Sequence, residues 1–351
     1  MAETTFATRA VAVELGRPTG ALLQSGNKSR SLRGCLAPRF CAACHKTYAG
    51  SAAMAKFVTS VLLVLATAVL GGAEAAAPTL ATAPQYGANP AAGHTFVHDG
   101  VALYYEVYGS GEPLLLVHGN GGSIGSLAAQ IEHFRDHHQV IAMDSRDHGR
   151  SGDSADRLTY EKMTDDLAAL LDHLEVGPVD VLGWSDGGIE ALLLGMRYPD
   201  KVKRLVAMAP NLNPSEEALY PETIALMREA LDSMPSEERD TPQGRRELKV
   251  TEMMLVEPNI DASELGSIEA PTLIMVGDHD VIRPEHAVEI YEHLPNGALK
   301  ILRNATHTAP QDDPARFNRT VERFFRKPGP DAATFDLTNP RMRAQNASFY
   351  D

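Results

Sequence analysis

Between Val179 and Leu194 the chain reads Val-Asp-Val-Leu-Gly-Trp-Ser-Asp-Gly-Gly-Ile-Glu-Ala-Leu-Leu-Leu, a stretch that leaves the backbone few choices. Val179 to Leu182 is a short apolar run with strand character, a helix begins near Gly187, and Gly183-x-Ser185-x-Gly187 is the corner between them. A serine on so tight a turn sits in a strained backbone region, and its flanks need residues without a Cβ so that strand and helix do not collide. The corner exposes the hydroxyl of Ser185. The amides that follow open a helix, where unpaired N–H groups and the dipole favour developing negative charge. Ser185 is therefore a candidate nucleophile, and the amide of Asp186 a candidate donor to an oxyanion.

Around this corner, strands alternate with helices. His94 to Val97 and Val101 to Tyr108 flank Asp99-Gly100 as a hairpin. Strands are expected at Pro113 to Val117, Val140 to Met143, Val179 to Leu182, Arg204 to Met208, Thr272 to Val276 and Leu299 to Leu302. Helices are expected at Leu127 to His138, Tyr160 to Leu174 and about Pro314 to Phe325. This order argues for a largely parallel sheet covered on both faces. Residues 211–267 break the rhythm: helical, acidic, punctuated by prolines and without a strand signal, they read as a helical lid inserted between two strands. The core is thus 94–210 with 268–327. Met227, Met234, Met253 and Met254 in the lid read as core filler.

A serine is a weak nucleophile until a base takes its proton and an acid orients that base. Asp280, in Val-Gly-Asp-His-Asp, and His307, in Asn-Ala-Thr-His-Thr, both fall just past strands, where open α/β sheets gather their chemistry. Asp278 is the competing acid. The second oxyanion donor is expected in His118-Gly119-Asn120-Gly121-Gly122-Ser123, on the amide of Asn120 with Gly121 as its neighbour. The same run lacks the G-x-G-x-x-G spacing of a phosphate loop.

These residues, with Asp144-Ser145-Arg146-Asp147-His148-Gly149-Arg150-Ser151, resemble the α/β-hydrolase superfamily over residues 94–327. The resemblance implies an eight-stranded sheet, a Ser-His-Asp triad in that chain order and a lid. Asp147 departs from the glycine that many relatives carry before His-Gly-x-Ser. Gly183-Trp184-Ser185-Asp186-Gly187-Gly188-Ile189 looks like the corresponding words of valacyclovir hydrolase-like enzymes, in which the acid after the nucleophile receives the amino group of α-amino acid esters. Asp186, with Trp184 beside it, is accordingly a candidate substrate ligand; an acid favoured by the helix dipole is the plainer reading.

The remaining sequence bounds the setting. Residues 1–77 hold eight of the 32 Lys/Arg and three of the 46 Asp/Glu, leaving 24 basic against 43 acidic groups, a balance of −19. So acidic a body repels nucleic acid and anionic membrane surfaces. Lys56, the apolar run Val58 to Leu70 and Ala73-Glu-Ala75 read as a secretory signal over 54–75, too short to span a bilayer comfortably, with an uncleaved anchor as the lesser reading. Residues 1–53 read as an upstream extension or misplaced start, 76–93 as a linker and 328–351 as a disordered tail. All three cysteines (Cys35, Cys41, Cys44) precede the signal, so no disulfide framework is expected in the body, and Cys41-x-x-Cys44-His45 is a coincidental match to haem attachment. His133, His137 and His138 imitate a metal site but read as a solvated helix face. Sequons stand at Asn304, Asn318 and Asn346.

The expectation is an exported serine hydrolase acting on a small ester, thioester, lactone or activated amide, with no cofactor, no metal, no nucleic acid and no stable membrane insertion after signal cleavage, its oligomeric state left open. Its rivals are a cofactor-independent haloperoxidase or perhydrolase, an aminoacyl-ester hydrolase or aminopeptidase, and a ligand-binding domain without catalysis.

Overall fold

The computed structural model describes residues 85–326. The expected extension, signal peptide, first part of the linker, three cysteines, Asn346 and the tail lie outside these residues.

Eight strands form one sheet: β1 (Gly93–His98), β2 (Val101–Tyr108), β3 (Glu112–Val117), β4 (His138–Met143), β5 (Val179–Trp184), β6 (Val202–Met208), β7 (Thr272–Gly277) and β8 (Gly297–Leu302). Their order is β1-β2-β4-β3-β5-β6-β7-β8. β2 is antiparallel to both neighbours, and every other pairing is parallel. Successive residues of the central strands, such as Leu114 to Val117 and Leu273 to Val276, are wholly buried whichever way they point. Both faces are therefore covered, which is why these strands read as unbroken apolar runs rather than alternating ones.

The covering helices are α1 (Ala128–Phe134), α2 (Tyr160–His173), α3 (Asp186–Arg197), α4 (Pro221–Ser233), α5 (Ser236–Arg239), α6 (Pro242–Met254), α7 (Pro284–His293), α8 (Ala309–Asp312) and α9 (Pro314–Phe325). α1 packs with α9, and α2 with α3. The expected helix 127–138 is shorter than its periodicity suggests. It opens as a 3-10 turn at Ile124–Leu127, and α1 ends at Phe134 because Glu112 of β3 pairs with His138, which draws the chain into β4. His133, His137 and His138 consequently do not share a helix face, and His133 lies 3.7 Å from Glu322 instead. α7 had no counterpart among the expected elements. Asn318 is buried, with its amide bonded to Ala129 O and Gln130, so that sequon is no surface acceptor.

Residues 85–92, expected as connector, are folded onto the sheet. Glu106, fully buried in β2, accepts from the N–H groups of Gly87 (2.8 Å) and Asn89 (2.9 Å) and from the hydroxyls of Tyr104 and Tyr108 (2.7 Å each). A buried carboxylate is stable only when its lone pairs are used, and here four donors use them.

Between β6 and β7 the insertion is helical, as its sequence indicates: α4, α5, α6 and a 3-10 turn at Ala262–Ser267. It is attached by a second apolar cluster in which Val250 and Met253 of α6 meet Tyr160, Met163, Ile189 and Leu193. Polar ties add to it: Lys249 Nζ bonds Asp147 (3.0 Å), and Arg246 bonds the carbonyls of Gly149 (3.1 Å) and Ser151 (3.0 Å). Asp147 sits at φ 62°, a conformation Asp tolerates better than most residues, and this explains how it replaces a glycine. The methionines divide. Met253 is core as expected, whereas Met227 and Met254 line the cavity beside Ser185 and Met234 lines a second one, because the insertion turns its apolar side towards space as well as towards the sheet.

Glu106→Gln puts a donor where four donors converge. It is expected to lower unfolding free energy by about 2–4 kcal/mol, read by urea denaturation, and to open the 85–92 segment to proteolysis first.

Candidate active site

Ser185 stands between β5 and α3 with φ 59° and ψ −119°, the strained geometry its flanking glycines anticipate. The corner is held by its own backbone: Ser185 N–H donates to Met208 O (2.8 Å), and Ser185 C=O accepts from Gly188 (2.7 Å) and Ile189 (3.1 Å). A Cβ on Gly183 would overlap the Gly187 carbonyl, and one on Gly119 would lie 2.9 Å from Ser185 Cβ. These glycines are required by close approach.

His307, in the loop after β8, places Nε2 2.9 Å from Ser185 Oγ and Nδ1 2.6 Å from Asp280 Oδ1. Asp280 is buried after β7, and its carboxylate also accepts from the N–H groups of Ile282 (3.1 Å) and Gly277 (3.2 Å). Asp278 does not meet the imidazole; its Oδ1 accepts from Ala305 N–H (3.1 Å), bracing the loop that carries His307. Trp184 donates its indole N–H to His307 O (2.8 Å), so its polar edge is committed to that same loop while the residue lines the cavity.

Asn120 follows Gly119 in the loop packed against Ser185, and its side-chain amide reaches Met254 of the insertion (2.9 Å). The Asp186 amide occupies the first position of α3, where a helix leaves N–H groups without internal partners. His118 fixes the Asn120 loop: Nδ1–H donates to Gly119 O (2.8 Å), and Nε2 accepts from Ser145 N–H (3.0 Å). Burial pushes its pKa down to about 4, keeping it in the neutral form that can do both. Asp144 closes the other side, accepting from Ile124 N–H (2.8 Å) and Arg150 N–H (2.7 Å).

The hydroxyl of Ser185 faces a cavity of about 400 Å³ under the insertion. Tyr160, Trp184, Leu219, Met227, Met254, Val281 and Ile282 supply mainly apolar wall, and Asn211, Asp186 and Glu257 supply polar points. Such a space admits a small organic molecule presented to one reactive group. Tyr160 is a wall residue that the sequence offered only as the start of an amphipathic helix.

A family model described as alpha/beta hydrolase fold matches residues 112–247. The serine hydrolase BPHL of Mus musculus is 29% identical over 250 residues, covering 65% of this chain and 84% of that protein. The 3-oxoadipate enol-lactonase 2 of Acinetobacter baylyi is 24% identical, covering 66% and 96%. Among solved structures, a hydrolase from Pseudomonas aeruginosa superposes with a TM-score of 0.57 at 26% identity, covering 68% of this chain and all of that one. The chain belongs to the α/β-hydrolase superfamily. It is a hydrolase with ester- and lactone-hydrolase relatives.

Within this α/β-hydrolase, Asp186 is unusual in its surroundings. It is buried, the Tyr160 hydroxyl and the Asn120 side chain are near enough to favour its ionised form, and its Oδ2 has no partner among the described residues. Burial raises its pKa from 3.8 to about 6, against the pull of Tyr160 and His307. One turn on, Glu190 is wholly buried with neither oxygen partnered among the described residues, and burial, then Asp186 and Asp166, hold it well above the carboxylate range. The helix dipole alone does not require a carboxylate so enclosed, since it favours exposed acids as well.

Because the folded protein binds the Asp186 proton more tightly than the unfolded chain, ionising Asp186 costs stability. That cost grows as pH rises from about 4 to 6 and is constant above. Asp186→Asn is therefore expected to be more stable than the parent at pH 8, by on the order of 2–3 kcal/mol. The difference should shrink towards zero at pH 4 in chemical denaturation; a pH-independent difference would refute this view of Asp186.

Proposed function

We propose that this α/β-hydrolase is a serine hydrolase of small carboxylic esters, thioesters or lactones, working through an acyl-enzyme on Ser185. The observation that carries the reading is His307 held between Ser185 Oγ at 2.9 Å and the buried Asp280 at 2.6 Å. In this reading His307 Nε2 takes the Ser185 proton as Oγ bonds to the substrate carbonyl carbon. Asp280 keeps Nδ1 protonated and stabilises the imidazolium. The amides of Asn120 and Asp186 receive the carbonyl oxygen as its negative charge develops, and their donors are already oriented before reaction. The proton on Nε2 then passes to the leaving oxygen or sulfur as the bond to the acyl carbon breaks. Water, deprotonated by the same imidazole, attacks the acyl-enzyme, and the proton returns to Ser185 as the acid departs.

The relatives support the substrate class, because the similar 3-oxoadipate enol-lactonase 2 is named for a lactone, whose ring is closed by an acyl–oxygen bond. Export belongs to the proposal through the signal over 54–75. A second, narrower reading is favoured by Asp186, a buried acid that lines the cavity: the substrate carries an ammonium group, as in an aminoacyl ester, whose charge this carboxylate would balance.

Ser185→Ala and His307→Gln are each expected to lower kcat on p-nitrophenyl esters by about 10⁴-fold, in a panel of graded chain length; retained activity in either would end the proposal. In the same panel Asp186→Asn should raise KM for an aminoacyl ester about tenfold and leave neutral esters little changed, and an equal effect on both would discard the ammonium reading.

A further inference from the structure

The helices that roof the Ser185 cavity continue past it. Along α4, Thr223 and Met227 line that cavity, whereas Ala230, Leu231 and Met234, on the same helix face one to two turns later, line a second cavity of about 370 Å³. Along α6 the order reverses: Val250 and Thr251 border the second cavity, and Met254, one turn on, borders the first. The floor agrees with the roof. Gly119 lines the first cavity, Asn120, Gly121 and Gly122 line both, and Ser123 lines the second. Three separate segments thus set the two spaces side by side, about one helical turn or 5.4 Å apart.

Little stands between them. At Gly121, which lines both, a Cβ would have no described atom within 4 Å, so the floor is open at that point. Beside it the Asn120 side-chain amide donates to Met254 Sδ (2.9 Å), a bridge from floor to roof at the border of the two spaces. A thioether is a weak acceptor on a flexible chain, and this bridge yields readily.

The second cavity suits an uncharged occupant. Leu231, Met234 and Val250 give it apolar wall, and the ions around it are engaged. Arg246 bonds the carbonyls of Gly149 (3.1 Å) and Ser151 (3.0 Å), Asp147 accepts from Lys249 (3.0 Å) and Ser154 (2.6 Å), and Glu247 accepts from Gln243 (2.8 Å). A charged tip would lose hydration and find these counter-ions taken. Hydrocarbon entering the same space gains by leaving water.

We propose that the two cavities form one channel past the Asn120 loop, and that the second receives a hydrocarbon arm of the substrate. The preferred esters are then uncharged and carry a chain of several carbons on one side of the scissile bond. The proposal rests on Ser185 as the reacting residue, since that fixes where the carbonyl sits and from where the arm extends.

The test measures binding, so that it does not depend on turnover. In the full chain carrying Ser185→Ala, dissociation constants are obtained by ligand-observed NMR for two series. One runs from ethyl to octyl acetate and the other from ethyl acetate to ethyl octanoate, which lengthens either arm in turn. In one series affinity should rise about threefold per added methylene through to the longest members. Adding Ala230→Trp, which fills the second cavity from an exposed position on α4, should weaken those longest members about tenfold or more and leave ethyl acetate unchanged. Thr251→Trp fills the same space from α6 and should act alike, so that either variant decides the matter if the other does not fold. Affinity that stops rising at propyl in both series, a folded variant that leaves the long chains unaffected, or one that weakens every length equally would each overturn the channel. Loss of the acyl-enzyme reading would appear separately, as hydrolysis that does not need Ser185.

Discussion

The backbone of Ser185, held at positive φ between β5 and α3, is the constraint on which the rest of the site depends. A residue does not rest there unaided, and the surrounding chain supplies what keeps it: the Met208 carbonyl on one side, the first turn of α3 on the other, and glycines at 119, 183 and 187 that let three segments approach within contact. Because β5 lies between β3 and β6, with parallel neighbours on both sides, the corner cannot drift without disturbing the middle of the sheet.

From that fixed point the other parts are reached by loops that brace one another. Asp278 holds the stretch before His307, and Trp184 holds His307 itself through its carbonyl. His118 and Asp144 tie the loop after β3 to the loop after β4, and that second loop is tied in turn to the insertion by Lys249 and Arg246. The positions of Asn120 and of the cavity roof are thus coupled through side chains that bond backbone and polar groups of the neighbouring loops. Within this frame Asp186 Oδ2, both carboxyl oxygens of Glu190 and His148 Nε2 are buried with no partner among the described residues. Buried polar groups without partners are where a fold gives up stability.

The sequence made the sheet and the site legible to different degrees. Strands such as 113–117 and 272–276 could be read because burial on both faces leaves an unbroken apolar run, and Ser185, Asp280 and His307 because each follows such a strand. Asp278 and Asp280 could be ranked but not separated, since only the fold shows which carboxylate meets the imidazole and which meets Ala305. The end of α1 was hidden because β3–β4 pairing, a contact distant in sequence, overrides local helix pattern. The connector at 85–92 looked free because its anchor, Glu106, is an isolated acid in an apolar strand until its four donors are seen together. Tyr160, Met227 and Met254 reach the cavity only through the way the insertion closes over it, which no periodicity encodes.

The central claim is that Ser185 is a nucleophile because His307, backed by Asp280, is placed to take its proton. The most direct measurement is the rate of covalent labelling by a fluorophosphonate, with the modified peptide identified by mass spectrometry, in the parent protein and in Asp280→Asn and Asp278→Asn. One phosphonyl group on Ser185 is expected, with labelling slowed by orders of magnitude in Asp280→Asn and far less in Asp278→Asn. Labelling at another residue, or equal rates in the parent and Asp280→Asn, would contradict the account.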